Sequence, residues 1–482
     1  AGEIAKMVDG LDREVNMSYD TNHNLIGIID AMGQRIDYTY DTTGRVLTAT
    51  NSVTGNKEFS DTYDGNGRVI TQDDAISDNL VTHFAYDTVT QPGRIINTIT
   101  DRNGKKRILI HDKSYQLLEI IDGNGNATEY GYDADGNKTR VTDENGNTTN
   151  YTYDERGNIL SSTDADGNKT SMTYDDHNNL LTITDALGHI TSFSYDSKNN
   201  LLSVKDAAGK VTNYSYNNNS QMTSRTLPDL GTSRYTYTNG MLTTAEDPAG
   251  VIINYIYDAA GRVTSISDGE GNKTSTTYDA QDRPLTITDP LGCTLSYSYD
   301  SYGCITGETD GNNKTTIYTY NNDHKITSRR DALGNVTTYE YDGEDRLIST
   351  TDPLGHTTTL NYDPAGRLIN ITDALGNTVS NSYDSVGNLT GIKNPDNITI
   401  MSQAFNKLNL PTSITDALGN ATTKTYDKLG QVTSTIDPKG KVSNYSYDQL
   451  NRLTSVTDPL SGTSLQEFNA AGNRLNITDP NG

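Results

Sequence analysis

The stretch Asp143–Asp164, DENGNTTNYTYDERGNILSSTD, holds two copies of one turn signal, Asp-x-x-Gly, at Asp143–Gly146 and Asp154–Gly157. Between them Asn147, Thr149, Tyr151 and Tyr153 alternate with Thr148, Asn150 and Thr152, and a second run rich in β-branched residues, Asn158–Thr163, follows. Period-two alternation between glycine-bearing turn signals reads as strand, tight turn, strand, tight turn. Asp at the head of a type I turn accepts a hydrogen bond from the backbone two residues on, and Gly at its end takes a positive φ without a Cβ clash. That pairing suits a hairpin closed by a type I turn and a G1 bulge.

Nearly all of the chain is further editions of this stretch. With Tyr-Asp as the mark, the editions run from Tyr19 to Phe468, with His111 and Phe405 also standing in for Tyr. Of the 21 intervals, 16 are 21 residues long and the others are 20, 22, 23, 23 and 25. A fixed period of this kind has to be read before any local motif. Pro248, Pro290, Pro353, Pro364, Pro438 and Pro459 directly follow a turn Asp, where the fixed φ of proline is welcome. No segment has the apolar spacing of a helix.

The odd period is informative. In an antiparallel meander Tyr153 and Tyr174 should share a face, yet two identical turns would give an even repeat. Either the two turns differ by a residue or each repeat carries one β-bulge.

Composition sets the shape. The 482 residues are too many for one ordinary core, and Leu, Ile, Val and Phe together make up roughly 19% of them, which with a net charge of −25 reads as disorder on composition alone. The repeat argues otherwise, because 31 Tyr at fixed positions supply the missing apolar area. So little aliphatic material cannot fill a solid interior, but it can hold a thin sheet. The sequence therefore predicts an all-β fold: a long antiparallel β-hairpin repeat array of about 44 strands, forming a curved sheet that is hollow or open rather than a packed globule. Tyr132, Tyr153, Tyr174 and Tyr195 are the candidate structural residues, forming a ladder on one face, with Asp133, Gly136, Asp154 and Gly157 shaping the turns.

The array reads as continuous from 1 to 482, about 22 repeats. It is irregular at 1–110, 217–250 and 384–410, and both ends read as cut within repeats. Longer loops are expected near Asn51–Ser60, Gln72–Asn79 and Thr88–Gln91.

Tests for chemistry return little. Cys293 and Cys304 each follow a turn glycine at opposite ends of one hairpin, too far apart for a disulfide, so two free thiols are expected. The seven His mostly fall at or after turns and do not recur at metal spacing. Asp133–Asn137 and Asp164–Asn168 resemble the start of a calcium loop, but Gly stands fourth rather than sixth and no bidentate Glu follows. The carboxylates sit at turn tips, not desolvated and paired as acid–base catalysis requires. No catalytic residue, cofactor or metal is expected. The acidic balance argues against nucleic acid, and no apolar run is long enough for a membrane helix.

Tyr383-Asp-Ser-Val-Gly-Asn-Leu-Thr390 and Tyr362-Asp-Pro-Ala-Gly-Arg-Leu368 resemble the YD repeats of the RHS (rearrangement hotspot) family, and the resemblance covers essentially the whole chain. It implies a spiralling β-sheet that closes into a hollow shell, as in bacterial polymorphic toxins, the C subunits of insecticidal toxin complexes, wall-associated proteins and teneurins. The family's C-terminal core motif, whose aspartates perform autoproteolysis in many members, has no counterpart here, so no catalytic residue carries over. Choline-binding and clostridial-toxin repeats lean on Trp, and this chain has none. The resemblance implies a structural shell segment of a secreted or bacterial surface protein, with a C-terminal toxin or effector domain, or other encapsulated cargo, as partner. The alternative is a cell-surface adhesion or carbohydrate-binding array that contacts surface glycans.

Overall fold

The computed structural model describes residues 3–9, 12–52, 55, 57–73, 81–88, 90–229 and 231–480. These form 45 strands, every one antiparallel to its chain neighbours, in a single open sheet, with no helix among the described residues. No helix of these residues is long and apolar enough to cross a membrane. The loops expected at Asn51–Ser60, Gln72–Asn79 and Thr88–Gln91 fall wholly or partly outside the described residues.

The odd period is resolved by a bulge. Asp143 and Asp154 head turns of the same kind: the Asp N–H donates to the carbonyl four residues on, and the Gly N–H donates back to the Asp carbonyl. In the hairpin closed at Asp154, Tyr153 lies opposite Ile159 but Thr152 lies opposite Ser161, so Leu160 is the extra residue. The same shift recurs at Tyr132, Tyr174 and Tyr195. One bulge per repeat returns successive tyrosines to one face.

Register also sets a slant. Tyr151 lies opposite Ser162, and Ser162 opposite Thr170, whereas the next copy of Tyr151 is Met172. Each repeat is thus displaced two residues (172 − 170) along the strand direction. A slip of ~7 Å for every ~10 Å crossed slants the ribbon by ~35°, in the range that closes barrels.

The ribbon coils back on itself. Asn124 donates to Asp363 at 3.0 Å and Asn145 to Asp384 at 3.1 Å, each pair 239 residues apart. The Gly343 N–H donates to Asn103, 240 residues away. One coil is therefore about eleven repeats, a circumference on the order of 110 Å. Among the described residues, strands pair only with chain neighbours, and the two coils meet through turn tips without a shared ladder.

Irregular segments keep this scheme by local repair. At Asn217 the turn persists with Asn for Asp and Ser220 at φ 59° for Gly. Thr238 pairs with Met241 across Asn239-Gly240, both at positive φ, which shortens that repeat by one residue. The one-residue slip near Asn394 is taken up by a second bulge, where Ile392 faces Met401 but Lys393 faces Thr399.

Candidate functional site

The turns are built from the Asp carboxylate outward. Asp154 Oδ1 accepts from the N–H groups of Arg156 and Asn158, both at 2.9 Å, while its Oδ2 accepts from Asn158 Nδ2 at 2.9 Å. Gly157 sits at φ 83°. Asp133 makes the same set with Asp135 and Asn137, and Gly136 sits at φ 87°. Donation from the Asn side chain, then from backbone N–H groups, holds both carboxyls below the usual carboxylate range.

The tyrosines link repeats. Tyr132, Tyr153, Tyr174 and Tyr195 each lie opposite the residue that follows their own turn: Lys138, Ile159, Leu180 and Leu201. The Tyr132, Tyr153 and Tyr174 hydroxyls reach the other way, donating to the carbonyls of Leu117, Lys138 and Ile159, each 15 residues back. Partial burial pushes all four phenols up.

A position that sequence reasoning passed over does similar work. The residue four positions after the Asp of a Tyr-Asp turn ties neighbouring repeats together. Arg283 donates to Asp279 of its own turn at 2.6 Å and to the Asp300 carbonyl of the next at 3.1 Å, and its guanidinium lies 4.5 Å from the centre of the Tyr299 ring. Arg262 and Arg367 repeat the arrangement over Tyr278 and Tyr383. Where Asn replaces Arg, the link is amide to amide, as from Asn158 to Asn178 and Asn179 to Asn199. The signal was legible as Arg or Asn recurring four residues after the turn Asp.

The sheet has two unlike faces. One carries the tyrosines. The other carries small hydroxyl residues that pair across the bulged hairpins: Thr152 with Ser161 at 2.7 Å, Thr173 with Thr182 at 2.7 Å, and Ser194 with Ser203 at 2.6 Å. This face is crowded beside the bulge. Ser161, Ser265 and Ser349 are buried there, and a Cβ added at Gly307 or Gly391 would press on Ser298 or Ser382.

At the seam, Arg102 of the first coil is one-tenth exposed and faces Asp323, Glu344 and Asp345 of the second at 3.6, 3.6 and 3.2 Å. Cys293 is exposed, Cys304 half-buried, and both are free. His111 lies in strand Lys106–Asp112 opposite Leu117, and the His324 ring packs on Tyr302 at 4.5 Å. No group of three or more His, Cys, Asp or Glu among the described residues is placed to hold a metal ion. The Asp133 and Asp164 segments, compared above with calcium loops, are hairpin turns whose carboxylates are taken up by their own backbone.

The teneurin YD-shell family model matches residues 119–303 and 356–482, and the RHS repeat model matches 19–57 and 320–357. No curated protein sequence matches the chain. Among solved structures, TcdB2-TccC3-Cdc42 superimposes with a TM-score of 0.69 at 13% identity, over 99% of this chain and 35% of that one. TcdB2-TccC3 without its hypervariable C-terminal region gives 0.70 at 13% identity, over 98% and 35%. The Photorhabdus luminescens Tc holotoxin pore gives 0.52 at 17% identity, over 96% and 30%. The chain thus spans about a third of the length of these solved chains, and the likeness is one of fold.

Proposed function

The chain belongs to the teneurin YD-shell family of RHS-type repeat proteins, and on that footing we propose that it forms part of the wall of a secreted or surface-delivered shell that sequesters a C-terminal toxin or effector domain. The observation that carries this reading is the ratio of surface to interior. The chain exposes 27187 Å², whereas a compact monomer of this mass exposes roughly 17,600 Å². Among the described residues, Ala49 and Ile110 are the buried hydrophobic ones. A two-coil ribbon with so little filled interior encloses space rather than a core.

Its lining is the hydroxyl face. Where a sheet curves strongly, side chains on the concave side converge, and small residues such as Ser161, Ser171 and Thr182 suit that side better than tyrosine rings do. That face is mainly Ser, Thr and Asn, with Ile190, Ile256 and Ile317 exposed singly among them, and so holds a partly folded chain without the grip of a broad apolar wall. The wall itself performs no chemistry in this reading. That one solved neighbour is described as TcdB2-TccC3 without its hypervariable C-terminal region supports a separable segment at that end.

Limited proteolysis of the full-length protein tests the proposal. The C-terminal domain should resist digestion while the shell is intact and be cut rapidly when made alone. Equal digestion in both settings would remove encapsulation and leave the adhesive, glycan-binding reading.

A further inference from the structure

Cys304 stands where the link between repeats belongs, four residues after Asp300. In other repeats that position reaches three groups at once. Arg283, Arg367 and Arg452 each donate to their own turn Asp and to the carbonyl that heads the next turn, and each guanidinium lies over the next ring of the ladder. Leu410, in the same position of the turn headed by Asn406, fills the space instead: a Cβ added at Gly430 would meet it at 3.2 Å. Cys304 is shorter than any of these and carries no donor nitrogen. Burial, then the neighbouring Asp300 charge, pushes its thiol up, so it stays uncharged at neutral pH.

The short side chain leaves a cleft of about 300 Å³ between two successive hairpins. It is lined by Asp300 and Tyr302 of one turn, Asn321 and His324 of the next, and Thr319 and Tyr320 of strand Thr315–Tyr320. Asp300 Oδ1 accepts from the N–H groups of Tyr302 and Cys304, both at 2.9 Å, while no side chain among the described residues donates to its Oδ2. The Asn321 carbonyl accepts from the His324 N–H at 3.2 Å. The Asp300 carbonyl accepts likewise from Gly303 and still takes the Arg283 guanidinium, so such a carbonyl has a lone pair to spare. The Tyr320 hydroxyl donates to the Ile305 carbonyl at 2.6 Å, which fixes the ring, and the stacked Tyr302 and His324 rings form a side wall. Carboxylate oxygen, carbonyl and ring are the three groups that hold Arg283 one repeat earlier.

The geometry points to this cleft being a receptor for a guanidinium group supplied from outside the repeat: the arginine side chain of another polypeptide segment. Its N–H groups donate to Asp300 Oδ2 and the Asn321 carbonyl, and its plane lies over Tyr320. Arginine is selected over lysine because a planar fork reaches both acceptors while covering the ring, which a compact ammonium does not. An anionic group is refused by Asp300, in a chain of net charge −25. Thr319 lies on the hydroxyl face, where its hydroxyl meets Ser328 at 2.7 Å, so a segment running along that face reaches the cleft. The inference stands on the repeat's own chemistry, whether or not the wall encloses a toxin.

Hydrogen exchange of the 482-residue chain tests it, with N-acetyl-arginine amide as the probe and N-acetyl-lysine amide at equal concentration as the control. Amides of strands Ile305–Thr309 and Thr315–Tyr320 should exchange about threefold more slowly at a probe concentration twice its dissociation constant, through occupancy alone. The lysine compound should give less than half that effect. Cys304→Arg supplies the guanidinium from within: the same strands should exchange more slowly without the probe and no longer respond to it. Cys304→Ala keeps the cleft and should respond as the natural chain does, which separates guanidinium binding from any reaction of the thiol. No response to the arginine compound at concentrations up to ~0.1 M, an equal response to the lysine compound, loss of the response in Cys304→Ala, or an undiminished response in Cys304→Arg would each overturn the proposal.

Discussion

The phenolic hydroxyl of Tyr153 donates to the main-chain carbonyl of Lys138, 2.7 Å away, in the residue that follows the preceding Tyr-Asp turn. Its ring meanwhile lies opposite Ile159, which follows its own turn. One side chain thus joins two successive hairpins, and nearest-neighbour coupling of this kind is what stabilises a repeat array. Tyr153→Phe should cost about 1 kcal/mol, the worth of one hydrogen bond. Tyr153→Ala should cost roughly 2 kcal/mol, below the ~3–5 of a fully buried aromatic, because this ring is half-exposed. Hydrogen exchange of the Lys138–Thr142 and Thr148–Tyr153 amides reads both. A change of less than half the stated size for Tyr153→Ala would show the ring is not coupling repeats.

Much of this was legible in the sequence because hairpin chemistry is local. The turns at Asp143 and Asp154, the strand between them and the face shared by Tyr153 and Tyr174 all follow from residues within one period. The odd period demanded either unequal turns or a bulge, and Leu160 shows that the bulge was chosen. The two-residue slip was not legible, since it emerges only when both registers are known. Nor was the seam: that Asn124 meets Asp363 depends on curvature accumulated over about eleven repeats, which no local motif encodes. Arg283 was visible but unread. Its partners, Asp300 and Tyr299, lie in the next repeat, and a motif inspected one copy at a time does not contain them.

Replacing Arg283 separates its charge from its shape. Arg283→Lys keeps the charge near Asp279 but loses the planar fork that also reaches the Asp300 carbonyl and covers Tyr299. We expect Arg283→Lys to lose about 1 kcal/mol and Arg283→Ala about 2 kcal/mol, the latter leaving Asp279 without its cation. Exchange rates in strands Pro284–Thr288 and Thr294–Tyr299 measure the effect. If lysine restored full protection, the planar contacts would be idle.

A stabilising change is also available. Tyr115 stands where most repeats have the turn Gly, at φ 62°, and is 75% exposed. An L-residue in the left-handed region costs about 1–2 kcal/mol, and glycine relieves most of it while giving some back through the greater freedom of the unfolded chain. Tyr115→Gly should therefore stabilise the hairpin closed at Asp112 by about 0.5–1 kcal/mol. Slower exchange at Leu117–Ile121 is the expected sign, and faster exchange would mean that the ring makes a contact worth more than the strain.

Stability should fall at both extremes of pH, for two separable reasons. Asp133, Asp154, Asp175 and Asp196 are held below the usual range, first by an Asn side chain and then mainly by backbone N–H groups. A carboxyl depressed on folding adds stability that is present above its unfolded value, about pH 4, and lost as pH falls through its folded value. Tyr132, Tyr153, Tyr174 and Tyr195 are pushed up by partial burial. Their contribution is present below about pH 10 and lost as pH rises through the raised values. Melting followed by circular dichroism across the pH range should show a plateau with a falling limb at each end. Asp→Asn at the four turns keeps an acceptor, as Asn217 does naturally, and should flatten the acid limb alone. An unchanged acid limb in that variant would place the loss elsewhere.

The seam offers the sharpest structural test. Gly123 lies in a first-coil turn against the second coil, and a Cβ there would overlap the carbonyl and side chain of Pro364. The obstacle is mainly backbone, so it cannot swing aside as a long side chain would. Next to it, Asn124 donates to Asp363 across the same gap at 3.0 Å. Gly123→Ala should therefore part the coils locally at an overpacking cost of about 1–3 kcal/mol, while leaving every hairpin's own ladder intact. Gly65→Ala is the matched control, because a Cβ at that turn meets nothing within 4 Å. In Gly123→Ala, exchange should quicken at the turns around Asp122 and Asp363 but not in strands Ala127–Tyr132 or Leu368–Thr372, and small-angle scattering should show a larger radius of gyration. Identical behaviour of the two variants would mean that the coils do not meet at Gly123 in solution.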